Sequence, residues 1–319
     1  MAPGVLPGEE FLNPFYIAPT LEALMNPTLY FNGILPQTPS TERSFVLDVV
    51  KNTAAADIAS GAMTIPMPAG EESGLTELSM TNISEMKGKI PKVGYEFDLS
   101  EEMLASSART LSELDLRMKK AAYGMSYAQN LLTIQAMSAG AKASGFTPAK
   151  TWNDTSGKQN PINDITSYQF DFINKGYPNR ALSWFMNQDK LEQLALYANN
   201  RDNCSYTIDP AQQFMTIEGV PSLAGMKFYN TFDEYTSGHL LTFDPRPSVH
   251  PGAEIMTYVD PKHGVQLANP DNNGVPDYSN ICVNITYEEK NPFGATVEVW
   301  TNVLPIVKIG DVIMDGTGI

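Results

Sequence analysis

One amphipathic segment limits what this chain can fold into more than any other part of its sequence. Apolar residues recur at steps of three and four, at Leu111, Leu114, Met118, Ala121, Met125, Ala128, Leu132, Ala136 and Ala139. This spacing places them on one face of an α-helix, and about thirty residues at 1.5 Å each make a helix of roughly 45 Å. Thr110 and Glu113 have the spacing of a capping box, while Gly140 and Pro148 mark the end. The pattern predicts one long helix that buries this face, with Leu111 and Leu132 included.

The first forty residues combine prolines with apolar side chains. Seven prolines lie in 1–40. Because proline removes a backbone donor and blocks helix continuation, we predict an extended N-terminal arm. Interleaved with the prolines are Phe11, Phe15, Tyr16, Leu21, Leu24, Met25, Leu29, Tyr30 and Phe31. A disordered linker is poor in such residues, so the arm must lie either on its own domain or on a neighbouring molecule.

Residues 41–99 are predicted to form a long projecting loop between two strands. The stretches 44–50 and 92–98 have strand composition, and the second alternates with period two. The segment between them is rich in Ala, Gly, Ser, Thr and Met and carries little core-forming pattern. Loops of such length inside compact domains are usually functional or disordered.

From residue 150 onward the pattern is mixed α/β. The stretches 164–174 and 189–199 are typical of short helices, and 180–186 between them is typical of a buried strand. Two later strands are predicted at 281–287 and 295–300, joined by a turn.

The charge balance excludes several classes of partner. The chain has 36 acidic and 21 basic residues, a net charge of −15. That argues against electrostatically driven nucleic-acid binding and against attraction to an anionic membrane surface. Only 18% of residues are charged, against about 25% in an average domain, which indicates that part of the surface does not face water. No apolar stretch has the length of a membrane span, and the N-terminal sequence lacks the pattern of a signal peptide.

Residues that could carry chemistry are few and scattered. Cys204 and Cys282 exclude a disulfide scaffold and a multi-cysteine zinc module. They could pair, but isolated thiols are favoured, since no other sign of export is present. His239, His250 and His263 lack the spacing of metal ligands. The carboxylate pairs Glu71–Glu72 and Glu101–Glu102 are best explained as solvated faces. No phosphate-binding loop, zinc-helix or serine-nucleophile motif occurs. We therefore predict no catalytic residue, no cofactor-binding residue, no metal ligand and no cofactor.

One loop partly matches a calcium-binding pattern. Between Asn269 and Asp277, oxygen-bearing side chains occupy loop positions one, three, five and nine, with Gly274 at position six. Position one is Asn rather than Asp, however, and position twelve is Asn280 rather than Glu. A turn rich in Asn, Asp, Gly and Pro explains the same residues, so calcium is not expected to be structural here.

The order of these elements resembles the major capsid proteins of tailed double-stranded DNA viruses, which have the Hong Kong 97-type shell fold. Phe97–Leu104 is similar to the family's strand and helix start, and Leu111–Ala139 looks like its spine helix. Trp152–Asp164 resembles the entry into the axial domain, Trp184–Leu194 that domain's strand–helix unit, and Ile217–Ser222 the loop after it.

The resemblance implies a fold class and a domain organisation. The fold expected is α+β, with an extended N-terminal arm, a projecting two-stranded loop, a long spine helix, and peripheral and axial domains. The corresponding ranges are the arm at 1–40, the extended loop at 41–99, the spine helix and peripheral domain at 100–150, the axial domain at 151–290, and C-terminal strands at 291–319 that return to the peripheral domain.

The resemblance also implies a function, which is structural and not enzymatic. Subunits are expected to assemble as hexamers and pentamers into an icosahedral head that encloses double-stranded DNA without sequence-specific binding. Scaffold, portal and decoration proteins are further partners, and no membrane is involved. The protein is expected in the virion after assembly in the host cytoplasm. Because the arm begins almost at Met1, a separate scaffold or none is implied. Some relatives join a loop lysine to an asparagine, for which Lys87, Lys89, Lys92 and Asn302 are the candidates here, though such residues are common.

Two other functions stay open on sequence grounds. An encapsulin-like nanocompartment shell would have the same fold but a protein cargo. A β-rich binding or adhesion module would use the loop from Asn269 to Asp277. An unrecognised enzyme is not favoured, because no set of residues forms a catalytic pattern.

Overall fold

The computed structural model describes fourteen stretches of the chain. They are residues 7–50, 60, 83–141, 152, 161–174, 183–199, 215–217, 220–223, 226–231, 239–243, 252–267, 277–288, 294–308 and 313–317. The chain divides into two compact units. The first comprises 1–45, 87–133 and 255–305, and the second comprises 46–86, 134–254 and 306–319.

Helices and strands alternate irregularly along the described ranges. The helices are α1 (Pro14–Met25), α2 (Glu101–Leu104), α3 (Ser107–Gly140), α4 (Pro161–Asn174) and α5 (Gln188–Asn199). The strands are β1 (Gln37–Ser40), β2 (Ser44–Val50), β3 (Ile83–Lys89), β4 (Lys92–Ser100), β5 (Ser183–Asn187), β6 (Met215–Ile217), β7 (Val220–Leu223), β8 (Met226–Thr231), β9 (His239–Phe243), β10 (Ala253–Tyr258), β11 (Gly264–Leu267), β12 (Asp277–Glu288), β13 (Gly294–Val307) and β14 (Ile313–Thr317). None of the helices described is both long enough and apolar enough to cross a bilayer.

The first unit is built on a sheet in the order β1-β10-β13-β12-β11, with β4 also paired to β13. The pairs β4–β13 and β12–β13 are antiparallel, and β1–β10 is parallel. Alternate residues of these strands point to one face, where α1 and α3 bury them. That core contains Ile17, Ala18, Leu21 and Met25 of α1, Leu114, Met118, Ala121, Ala122 and Met125 of α3, and Leu99, Val265, Ile281, Val283, Ala295, Val297 and Val299 of the sheet.

The predicted arm is not extended throughout, because Pro14–Met25 is a helix. Asn13 caps it by accepting a hydrogen bond from the Phe15 amide at 2.9 Å. Pro14 stands at the first helical position, where its fixed φ suits the helix and no amide hydrogen is needed. Pro19 removes one internal hydrogen bond, but burial of Ile17, Ala18, Leu21 and Met25 against β11 and β12 offsets that loss. Burial of this apolar face therefore stabilises the helix more than the two prolines destabilise it.

The long helix is confirmed as α3, although its start and its buried face differ from the prediction. Thr110 does not cap the helix: it lies within the first turn, where its hydroxyl donates to the Met103 carbonyl at 2.6 Å. The capping-box prediction is therefore wrong. Leu111 is 38% exposed, and Leu132 is only partly buried. The buried positions are Thr110, Leu114, Met118, Ala121, Ala122, Met125, Ser126, Asn130, Thr133, Ile134 and Met137. At about 100° per residue, the later buried residues, such as Asn130 and Met137, lie on a different side of the helix from Leu114 near its start, so the buried face rotates along α3.

The predicted projecting loop has its outgoing strand where expected but a different return strand. The β2 strand covers 44–50 as predicted, yet it pairs with β3 and not with β4. The β4 strand instead belongs to the large sheet of the first unit. Residues 83–89 carry charged and small side chains without an apolar alternation, which is why the sequence pattern missed this strand. Between β2 and β3, the structure describes only Ser60.

The second unit contains a sheet in the order β14-β9-β5-β8-β7-β6. The predicted buried strand and both predicted short helices are confirmed as β5, α4 and α5. Every residue of β5 is buried. Trp184 and Phe185 stack on Phe228 and Tyr229 of β8, with ring centroids 6.2 and 4.9 Å apart. At its end, the Asn187 side chain accepts a hydrogen bond from the Lys190 amide at 3.2 Å, which fixes the start of α5.

Candidate assembly surfaces

The sequence-predicted histidines and carboxylates do not form a reactive cluster in the ranges that the structure covers. Within them, no group of three or more His, Cys, Asp and Glu side chains is placed to hold a metal ion. His263 packs its ring against Trp300, with centroids 5.3 Å apart. His239 lies in β9, while His250 is outside the described residues. Glu101 and Glu102 are exposed in the first turn of α2, where acid complements the helix dipole.

The calcium-like loop falls almost wholly outside the described residues. Only Asp277 and Asn280 of that pattern are described, and both lie in β12. Asp277 pairs with Leu267 of β11.

The structure describes one of the two cysteines, Cys282. Cys282 is a free, fully buried thiol in β12. Burial raises the pKa of this thiol, which keeps it protonated and unreactive. Cys204 lies outside the described residues.

Two of the four candidate crosslinking residues, Asn302 and Lys92, make contacts within their own chain, whereas Lys87 and Lys89 are exposed in β3. Asn302 is 3% exposed, and its side-chain amide donates to the Tyr258 carbonyl at 3.0 Å. Lys92 stands opposite Asn302 in the β4–β13 register. Its ammonium nitrogen lies 3.7 Å from the centroid of the Trp300 ring, a cation–π contact. Asn302 is therefore not presented to another subunit in this conformation.

The N-terminal region is fastened to its own unit by hydrogen bonds as well as by apolar packing. Asn130 of α3 contacts the backbone on both sides of Leu29: its amide nitrogen donates to the Thr28 carbonyl at 2.8 Å. Its amide oxygen accepts from the Tyr30 amide at 3.1 Å. Ser279 of β12 donates to the Glu22 carboxylate at 2.7 Å. The arm was expected to lie either on its own domain or on a neighbouring molecule. Residues 14–30 lie on their own domain.

The base of the β2–β3 hairpin is another surface that could contact a second molecule. Arg43 and Ile90 close it through two hydrogen bonds, from the Ile90 amide to the Arg43 carbonyl at 2.9 Å and from Arg43 Nε to the Ile90 carbonyl at 3.1 Å. Phe45 covers Gly88 so closely that a Cβ there would lie 2.9 Å from Phe45 Cζ. Val46 is 61% exposed and Met86 39% exposed. The hairpin therefore leaves its base with apolar side chains in solvent.

A third feature, which we call the α3 face, consists of Tyr95, Leu116, Lys120, Tyr123 and Tyr127. The four helical residues lie within about 60° of one another around α3, opposite its buried side. Leu116, Tyr123 and Tyr95 are 49%, 55% and 50% exposed. The Tyr95 hydroxyl lies against Gly124 and leaves no room for a Cβ at that position. The rings of Tyr123 and Tyr127 are 6.4 Å apart.

A fourth feature, which we call the α1 face, consists of Glu9, Glu10, Phe15, Tyr16 and Tyr287. Phe15, Tyr16 and Tyr287 are 66%, 42% and 41% exposed. Helix α1 packs along β12, the strand that contains Tyr287, and burial and then the Glu9 carboxylate raise the pKa of Tyr287. Because Glu22 binds Ser279 at the other end of β12, the start of α1 points toward Tyr287.

Sequence reasoning missed both faces, although one signal for each was present. Leu116, Tyr123 and Tyr127 follow a helical spacing opposite the predicted buried face, which is unusual for a solvated surface. In the sequence Phe15 and Tyr16 belong to the apolar arm, and their exposure depends on the helix that the prolines obscure.

Comparison with known proteins gives matches at the level of structure. No protein-family model matches the sequence, and no curated protein does. The virus-like particle from Pyrococcus furiosus matches with a TM-score of 0.52 at 12% identity, over 94% of this chain and 96% of that one. The SrpI encapsulin complex from Synechococcus elongatus matches with a TM-score of 0.56 at 11% identity, over 92% of this chain and 88% of that one. The capsid of a native GTA particle matches with a TM-score of 0.56 at 14% identity, over 91% of this chain and 90% of that one.

These matches confirm the fold that the sequence predicted. The chain has the Hong Kong 97-type shell fold, of α+β class, and the likeness extends over nearly its whole length.

Proposed function

We propose that this chain is the major capsid protein of a tailed double-stranded DNA virus and assembles as hexamers and pentamers into an icosahedral head. The observation that carries the proposal is the structural match over about nine tenths of the chain to a virus-like particle and to a GTA capsid. A likeness of such coverage leaves little of the chain for an additional enzyme domain.

The electrostatics support a container and not a nucleic-acid binder. With a net charge of −15, the subunit has no excess of basic side chains to neutralise phosphates. DNA would be confined by the closed shell. We further propose that scaffold, portal and decoration proteins contact the shell, that the protein resides in the virion, and that assembly takes place in the host cytoplasm.

Within this proposal each part of the chain has a task. The loop between β2 and β3 lies across neighbouring subunits, α3 is the spine of the peripheral domain, and residues 151–290 supply the axial domain. The C-terminal strand β13 returns to the peripheral domain, which is supported by its pairing with β4 from Gly294 to Asn302, whereas β14 pairs with β9 in the sheet of the second unit.

A nanocompartment shell with a protein cargo is the second candidate. It is favoured by the encapsulin match, whose TM-score of 0.56 equals that of the GTA capsid. The adhesion-module alternative depended on the loop from Asn269 to Asp277, and neither described residue of that pattern supports it.

Negative-stain microscopy of the purified full-length chain tests the shell, and analysis of particle contents separates the two candidates. Closed particles are expected at moderate salt. Nuclease-protected DNA in particles from the native source indicates a viral head, whereas a co-purifying enzyme indicates a compartment. A strictly monomeric species at all salt and protein concentrations, with no particles from the purified chain or from the native source, would contradict both the viral head and the nanocompartment.

A further inference from the structure

Rings of five or six subunits place a geometric requirement on the proposed capsid protein. An interface between two copies related by a two-fold axis uses the same patch twice. In a ring with more members, each subunit meets its neighbours through two different surfaces, head to tail. The chain must therefore carry two complementary surfaces.

We propose that the α3 face of one copy binds the α1 face of the next copy in the ring. This inference rests on the proposed function and names the contact through which the subunits associate. Both faces belong to the first compact unit.

The charges of the two faces are complementary. Helix α3 contains four basic residues, Arg109, Arg117, Lys119 and Lys120, and two acidic ones, Glu113 and Asp115. Arg117 and Lys119 pair with those acids at 3.5 and 2.6 Å. The α3 face itself contains one charged residue, the basic Lys120, in a chain whose net charge is −15.

The α1 face carries the opposite sign. Residues 1–42 contain four acidic residues and no basic one, and the first basic residue of the chain is Arg43. Glu9 and Glu10 lie in the turn that precedes α1. Because copies of a chain with a net charge of −15 repel one another in general, an exposed basic residue is a favourable partner for an acidic face.

Both faces expose large apolar side chains of the types that are common in interfaces. Ten large hydrophobic side chains are exposed in the described part of the chain, and six of them belong to these two faces. Tyrosine and phenylalanine are the side chains that interfaces enrich, because they bury a large area at low cost in conformational entropy. The faces hold Tyr95, Leu116 and Tyr123 on one side, and Phe15, Tyr16 and Tyr287 on the other.

The two faces of one copy cannot satisfy each other. Glu10 lies beside Ser107, with Oε1 and Oγ 3.4 Å apart. From Ser107 to Lys120, α3 rises about 20 Å. A contact between the faces therefore requires a second molecule.

Charge reversal tests the proposal in the full-length chain. We expect Lys120→Glu alone and Glu10→Lys alone to lower the assembled fraction about tenfold, since like charges then meet across the contact. The double variant, with both reversals in one chain, is expected to assemble again. The control is Lys262→Glu, which makes the same charge change at an exposed residue outside both faces and is expected to assemble as the parent does. Circular dichroism of all four variants should equal that of the parent.

The readouts are sedimentation velocity for subunit association and microscopy for closed shells. Normal assembly of both single variants, or failure of the double variant to recover, would overturn the interface while leaving the proposed function intact. Loss of encapsulated nucleic acid by Lys120→Glu particles of normal shape would also overturn it, in favour of a polyanion partner. A parent chain that neither associates nor forms particles would overturn both proposals.

Discussion

Ser279 donates its hydroxyl hydrogen to the Glu22 carboxylate, and their oxygens lie 2.7 Å apart although 257 residues separate them in sequence. The same serine oxygen accepts from the Ile281 amide at 3.1 Å. Ser279 is fully buried. The bond therefore fixes the arm helix to β12 through a buried serine, while the Glu22 side of the bond is partly exposed.

Removing this hydroxyl should weaken the fold measurably. We expect Ser279→Ala to lower the free energy of unfolding by about 1–2 kcal/mol, because Glu22 and the Ile281 amide lose a buried partner. Urea denaturation followed by circular dichroism measures the change. Ser40→Ala, which removes a hydroxyl that binds the Glu42 carbonyl in an exposed turn, should have almost no effect. Equal losses in the two variants would contradict a special role for Ser279.

Asn130 should control whether the chain after α1 stays docked. In Asn130→Ala the Thr28 carbonyl and the Tyr30 amide lose their partner, which should cost about 2–3 kcal/mol. Limited chymotrypsin digestion should then cut after Leu29, Tyr30 or Phe31 sooner than in the parent. Gln129→Ala, one position earlier on α3, is the control and should be cut at the parental rate. An unchanged cleavage pattern in Asn130→Ala would show that apolar packing alone holds this segment.

The rotation of the buried face of α3 predicts a sharp contrast between two leucines. Leu114 is fully buried, whereas Leu111 is 38% exposed. Leu114→Ala should cost about 2–5 kcal/mol through lost burial and a new cavity, and Leu111→Ala about 0.5 kcal/mol or less. Thermal melting of the two variants gives the comparison. A comparable loss for Leu111→Ala would support the predicted face, which includes both leucines.

Asp164 should make the second unit more stable in mild acid. Burial raises the pKa of this carboxyl above its ordinary value of 3.8, although the Trp152 indole, which donates to it at 2.9 Å, acts in the opposite direction. The folded state thus binds the proton more tightly than the unfolded chain, and stability falls as the pH rises from 3.8 through the higher folded pKa. Asp164→Asn should remove that dependence and raise the melting temperature at pH 7. A parental pH profile in the variant would contradict this.

The loop between β2 and β3 should matter for the shell and not for the subunit. Replacing residues 56–80 with a short Gly-Ser linker keeps both strands of the hairpin and the Phe45–Gly88 contact. Cooperative melting should survive while particles vanish from sedimentation profiles. Loss of cooperative melting would show that the loop belongs to the core of the subunit.

Local composition and periodicity were enough to predict several of the elements. The segments that became α3, β2, β5, α4 and α5 each showed a pattern that their own burial explains. The fold class followed from their order. Composition could not reveal β3, whose residues are mostly exposed and which is defined by pairing with β2.

The arm shows a different limit of sequence reasoning. Prolines at 14 and 19 oppose a helix in general, yet the first occupies the position where proline is favoured. The helix is stabilised by burial of Ile17, Leu21 and Met25 on β12. That strand lies far away in sequence. The two assembly faces were equally hidden, because exposure of Phe15 and Tyr123 is known only once the buried sides of α1 and α3 are fixed.

The docking of α1 on β12 has a consequence during synthesis. The arm leaves the ribosome first, but Ser279 is made 257 residues after Glu22, which at 5–20 residues per second is a delay of roughly 10–50 s. For that time the side of α1 that carries Ile17, Leu21 and Met25 has no strand to cover it. We expect the nascent chain to depend on a cellular holdase, and its yield in a cell-free translation system to rise when one is added.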